Sequence, residues 1–72
     1  MNDQPTRQIT AEFIPVIDIR PGHRIAGGVV TATRTSKSGK TVYITYRSDG
    51  RGVEDTYSQS AVTRAAVFTY ED

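Results

Sequence analysis

Not one of the 72 residues is a leucine, and none is a cysteine. Without leucine, and with alanines that never recur at helical spacing, the chain has little to build an amphipathic helix from. Its apolar positions fall instead to valine, isoleucine, tyrosine and phenylalanine, the residue types that suit a pleated, half-buried surface. The stretch Thr41 to Arg47 shows the pattern most plainly: Val42, Ile44 and Tyr46 alternate with Thr41, Tyr43, Thr45 and Arg47. A period of two places the even positions on a core and the odd positions outside. An all-β domain is therefore expected.

Seventy-two residues make a single domain with a small core. The absence of cysteine excludes disulfides and thiolate metal sites, and one histidine excludes a histidine cluster. The first eight residues are polar, contain Pro5 and show no period, so residues 1–8 read as a disordered arm ahead of a domain at 9–72. No apolar stretch follows that arm, and no run nears the ~18 apolar residues of a membrane span. A cytoplasmic location is the expectation.

Turn residues divide the rest. Ile9 to Ile19 carries Pro15 at its middle and reads as an edge strand, a bulged strand or two short pieces. Arg20-Pro21-Gly22-His23 is a turn. Arg24 to Thr35 reads as one long strand bent or bulged at Gly27-Gly28. Ser36 to Lys40 is a polar loop, and Ser48-Asp49-Gly50-Arg51 is a hairpin turn. Val53 to Tyr57 is a short strand, Ser58 to Val62 reads as one helical turn, and Arg64 to Tyr70 closes the chain. The predicted core is Ile17, Ile19, Ile25, Val30, Val42, Ile44, Tyr46, Val53, Val62, Val67 and Phe68. About five short strands at such spacing point to a small barrel or sandwich.

The order of these signals carries a resemblance. A Pro21-Gly22 turn precedes Arg24-Ile25 and Gly28-Val29-Val30; a variable loop leads to Val42-Tyr43-Ile44-Thr45-Tyr46; then come Asp49-Gly50, a strand ending at Tyr57, the Ser-Gln-Ser-Ala-Val segment and a last strand. Over Ile19 to Tyr70 this resembles the Src-homology-3-like small barrels, particularly modules of the KOW and Tudor type. The resemblance implies a five-stranded barrel with one short helical turn before the last strand. It also implies binding of nucleic acid, of ribosomal or polymerase partners, or of peptides with modified side chains. Short modules of this kind are common among accessory proteins of phages and mobile elements.

Charge is distributed unevenly. Residues 1–19 balance to −2, residues 20–51 to +6, and residues 52–72 to −3. The basic stretch offers a candidate nucleic-acid strip of Arg34, Lys37, Lys40, Tyr43, Arg47 and Arg51. Its cations would meet phosphates and its tyrosine would stack on a base; an ordinary solvated β-face is the plainer account. Tyr46, Asp49, Tyr57 and Phe68 are the residue types of an aromatic cage for a methylated cation, although a small core needs the same rings. The apolar run around Pro15 offers Phe13, Ile14 and Val16 as a contact for a protein partner or a second copy.

Catalysis has little to stand on. His23 is a lone imidazole in a turn, and no serine sits in a nucleophile-elbow pattern. Adjacent Glu54 and Asp55 should point to opposite faces of a strand. Val42-Tyr43-Ile44-Thr45 departs from the Val-Gln-Ile-Tyr stretch of the plasmid-borne dihydrofolate reductase, an enzyme of similar size. The sequence reads as a non-catalytic binding module with no small-molecule cofactor. Protein contact, including self-association, comes first; weak, sequence-tolerant nucleic-acid binding is the alternative.

Overall fold

A computed structural model describes residues 8–71 of the chain, with side chains described for residues 9–69. Of the arm expected at residues 1–8, residues 1–7 lie outside the described residues, and Gln8 is the first residue of a strand. The fold is all-β, as the alternation predicts. Strands β1 (Gln8–Pro15), β2 (Arg24–Ile25), β3 (Gly28–Thr35), β4 (Thr41–Ser48), β5 (Glu54–Ser60) and β6 (Arg64–Glu71) form one antiparallel sheet. Their order is β1-β6-β2-β3-β4-β5. Among the described residues there are six strands rather than five, and the edges β1 and β5 do not pair with each other, so the sheet stays open. Among the described residues no helix is long and apolar enough to cross a membrane.

The sheet nevertheless curls around one core. Ile25 of β2, Val30 of β3, Val42 and Ile44 of β4 and Val67 of β6 are buried together with Val16, Ile19 and Ala61. Strands β4 and β6 are separated by two others in the sheet, so their side chains meet only if the sheet bends over. The chain after β1 holds one end shut. Val16 N–H donates to Thr63 O at 2.7 Å, Ile17 N–H to Ala61 O at 3.3 Å, and Ala61 N–H to Lys40 O at 2.8 Å. Burying each of the larger aliphatic side chains contributes about 1.5–3 kcal/mol, which is the main force holding this curl.

Two local devices differ from the sequence reading. Residues 24 to 35 are not one strand with a bend but a tight hairpin, with Ile25 opposite Gly28 across Ala26 and Gly27. A bulge does occur in β3, but between Val30 and Ala32. Gly28 is where the backbone must come close: a Cβ there would collide with the carbonyl of Arg47. The helical turn expected at Ser58 to Val62 is strand up to Ser60, then a turn closed by Thr63 N–H to Ser60 O at 3.0 Å. The short helical element lies instead at Val16–Asp18, a 3₁₀ turn directly after Pro15.

That turn reassigns the core. In a 3₁₀ helix residues three apart share a side, so Val16 and Ile19 point inward at 0% and 1% exposure while Ile17 stays 38% exposed. Val53 and Val62, also expected inside, are exposed: Val53 precedes β5 and Val62 sits in the turn before β6. Phe68 cannot join Val67 in the core because neighbours in a strand face opposite ways. Tyr46 is half-buried and packs against the core cluster.

Candidate functional site

Three surfaces collect the side chains that could bind something. The first is the outer face of β3 and β4. Register places Arg34 opposite Tyr43, Ala32 opposite Thr45 and Val29 opposite Arg47. The alternation of β4 sends Tyr43, Thr45 and Arg47 to the face away from buried Val42 and Ile44. Lys37 and Lys40 are exposed in the loop at one end of these strands, and Arg51 in the turn at the other. Of the strip read from the sequence, Arg34, Tyr43 and Arg47 share one face of the hairpin, and the loop cations lie at its two ends, roughly 24 Å apart for an eight-residue strand. Its aromatic member is already engaged, for the Arg34 guanidinium lies 4.5 Å from the centre of the Tyr43 ring. Beside that pair Ala32, Thr33, Thr45 and Thr56 complete a depression of about 510 Å³. Arg47 Nη1 reaches the Gly52 carbonyl at 3.4 Å, and acidic Glu54 is its cross-strand neighbour on β5.

The second surface is a cleft of about 310 Å³. Tyr46, Tyr57, Gln59, Ile25 and Ala65 line it. Tyr46 and Tyr57 meet edge to face with ring centres 5.8 Å apart. Burial first, and the neighbouring Tyr46 second, push the Tyr57 hydroxyl above its ordinary pKa. Gln59 Oε1 is buried with no hydrogen-bond partner in the protein. The four cage residues do not converge here. Phe68 faces the opposite side of the sheet, and Asp49 Oδ2 accepts from Arg24 Nη1 at 2.7 Å in a surface ion pair.

The third surface is β1. It lies at the edge of the sheet, where a strand containing Pro15 belongs. Phe13 and Ile9 are 64% and 60% exposed on its outer side. Pairing sets Ala11 opposite Phe68 and Phe13 opposite Ala66, so Ile9, Ala11, Phe13, Ala66 and Phe68 share one apolar face. The other two residues named from the sequence turn inward. Ile14 is half-buried against the core and Val16 is wholly buried, so Val16 cannot line a contact surface; the 3₁₀ turn puts it into the core. Ile9, missing from the sequence reading, takes its place. The signal was present: the odd positions 9, 11 and 13 are all apolar, while Thr10 and Glu12 are polar.

His23 Nδ1 accepts the Arg20 backbone N–H at 3.0 Å, and Arg20 Nη1 donates to the carbonyls of Ile17 and Ile19 at 2.9 and 3.1 Å. The histidine closes a turn, and the arginine ties that turn to the 3₁₀ segment. Glu54 and Asp55 are consecutive in β5, on opposite faces. Among the described residues no three histidine, aspartate or glutamate side chains gather where a metal ion could bind. No protein-family model matches the chain, and no curated protein and no solved structure matches it either.

Proposed function

We propose that this protein is a non-catalytic binding module of the Src-homology-3-like type, opened at one seam, that acts by accepting an extended strand on the free edge of β1. The observation that carries the reading is the combination of an eight-residue strand with no other described strand on its outer side and Ile9 and Phe13 exposed beside it. An edge strand presents unpaired N–H and C=O groups, and natural proteins cover or charge such edges when nothing is meant to bind there. Here the other edge, β5, carries Glu54 and Asp55 with Thr56, Ser58, Gln59 and Ser60, whereas the described side chains of β1 include one charge, Glu12, and one other polar group, Thr10. Main-chain hydrogen bonds would supply affinity, and the apolar face of β1 and β6 would supply selectivity. The barrel type is supported by the curl of the sheet and by β6 returning beside β2. An accessory role in a phage or mobile element fits the size of the chain.

Panning the protein against a display library of short extended peptides tests the reading. Peptides selected by the native protein should lose binding to Ala11→Pro, which blocks the β1 edge. Selection of peptides indifferent to that change, or of none, would remove it.

A second reading, weak and sequence-tolerant nucleic-acid binding, is favoured by Arg34 and Arg47 on one face of β3 and β4 and by the exposed loop lysines at one end of these strands. Affinity for single-stranded DNA or RNA should then fall by orders of magnitude between about 50 and 200 mM salt. Replacing Lys37, Lys40 and Arg47 together by glutamate should abolish it with the fold intact. No binding at the lower salt sinks this second reading.

A further inference from the structure

The direction of every backbone group along β1 follows from one contact. Val16 N–H bonds Thr63 O, and residues 16 and 63 continue the register that sets Ile14 opposite Ala65. In an antiparallel pair the bonded positions alternate, so Ile14, Glu12 and Thr10 turn their N–H and C=O groups toward β6. Ile9, Ala11 and Phe13 turn theirs to the open edge. Pro15, which has no N–H to offer, falls in the outward set. The same alternation, carried across the sheet, agrees with Val30 N–H on His23 O, Ser36 N–H on Thr41 O and Ser48 N–H on Val53 O. The edge is thus a regular array of donors and acceptors with apolar side chains at the same residues. Arg64 Nη1 donates to Phe13 O at 3.2 Å, and a carbonyl has a second lone pair for another donor.

We propose that the partner of this edge is a second copy of the chain, the two β1 strands pairing antiparallel about a two-fold axis at Ala11. The proposal rests on the strand-addition reading and names its occupant. An antiparallel strand must match outward residues with outward residues, which leaves few centres. A centre at Ala11 sets Ile9 against Phe13 of the second copy on the apolar face, Ala11 against Ala11, and Thr10 against Glu12. A centre at Glu12 opposes two carboxylates. A centre at Phe13 brings the proline ring of one copy against the Ala11 carbonyl of the other and leaves that carbonyl without a donor. A centre at Thr10 leaves Phe13 without a residue opposite it in the eight of the other β1. The other edge among the described strands, β5, is acidic where β1 carries Glu12, and a β1-to-β5 contact would be head-to-tail, building rings or filaments of several copies instead of a dimer. Pairing at Ala11 closes as an isologous dimer. Because two edge strands bury less than about 1,200 Å², the dimer should be weak and reversible, with a Kd above about 1 µM.

Sedimentation equilibrium of the full chain over about 10–500 µM is the experiment. A monomer–dimer equilibrium with no larger species is expected, and Ala11→Pro should weaken it at least about tenfold with an unchanged far-ultraviolet circular dichroism spectrum. The Ala11 N–H makes no bond to β6, so proline there removes only the outward donor. Amide exchange on the unmodified chain gives the same reading without a mutation: protection of Ile9, Ala11 and Phe13 should rise with concentration. Register is read by oxidative cross-linking of a chain without native cysteines. A mixture of Thr10→Cys and Glu12→Cys should link, since those positions face each other as a close pair, and neither variant alone should. A monomer throughout the range, a dimer indifferent to Ala11→Pro, or efficient cross-linking of Glu12→Cys alone would overturn the proposal. If the native chain is monomeric while panned peptides still bind at β1, self-pairing fails and strand addition stands. If neither occurs, both fall.

Discussion

Single residues in this protein carry unequal weight, and two of them are dictated by backbone rather than side chain. Gly28 lies where β2 and β3 join and where the Arg47 carbonyl leaves no room for a Cβ. Gly28→Ala should destabilise the domain by about 3 kcal/mol or more, read as a lower urea midpoint, because the neighbour it meets is backbone. Gly50, with φ of 80°, takes the left-handed conformation that the Asp-Gly hairpin signal announces. Tyr57 makes a pH-dependent contribution. Its hydroxyl is raised above the ordinary value, so the folded protein holds the proton more tightly than the unfolded chain. That stability is present below about pH 10 and is lost as the pH climbs through the raised value. Ultraviolet titration should show one late tyrosine that Tyr57→Phe removes, together with the alkaline loss of stability. Gln59 is the converse case. Its unpartnered oxygen costs about 1–3 kcal/mol, so Gln59→Met should leave thermal stability unchanged or raised.

At the scale of elements, the 3₁₀ turn after β1 is what converts a ribbon into an enclosed core. It puts Val16 and Ile19 under the curl and ties residues 16 and 17 to the turn between β5 and β6. Val16→Asp would bury a carboxylate with no partner and should unfold a domain whose total stability is only several kcal/mol. Ile17→Asp, one residue on and 38% exposed, should cost less than about 1 kcal/mol. Chemical denaturation of the two variants side by side checks the contrast. It also separates folding from binding, since Phe13→Asp acts on the exposed face of β1 and should affect association without lowering stability. The legibility of each element followed its regularity. β4 was readable to its inward positions because an unbroken period of two runs through it. The run from Ile9 to Ile19 offered an edge strand, a bulged strand or two pieces, because proline at position 15 permits all three. It resolved into an edge strand followed by a tight turn, and the turn decided whether Val16 or Ile17 went inside.

Across the whole molecule, the buried residues come from β2, β3, β4, β6 and the two connecting turns, so the core couples nearly every part of the chain. Unfolding should therefore be a single cooperative transition, with Ile44→Ala lowering its stability by about 2–5 kcal/mol in urea titrations followed by circular dichroism. The basic stretch and the two acidic stretches do not segregate simply once folded. Arg24 meets Asp49 in an ion pair, Arg34 covers Tyr43, and Arg47 lies opposite Glu54. The strip read from the sequence is thus partly spent on contacts within the fold, while Lys37, Lys40 and Arg51 remain on exposed loops.

The amino-acid sequence by itself determined the all-β class, the positions of the main turns and the inward residues of β4, because these depend on local backbone preferences and on a period of two. It left residues 9 to 19 as an edge strand, a bulged strand or two short pieces, because proline withholds a donor in each, and the sheet order alone chose the edge. Only the tertiary structure decided that residues 24 to 35 form a hairpin and that the helical turn lies after β1 instead of before β6. It alone decided that Phe68 and Ile9 face outward. Those outcomes depend on which strand each backbone group finds as its partner, and that choice is set by contacts between residues far apart in the chain.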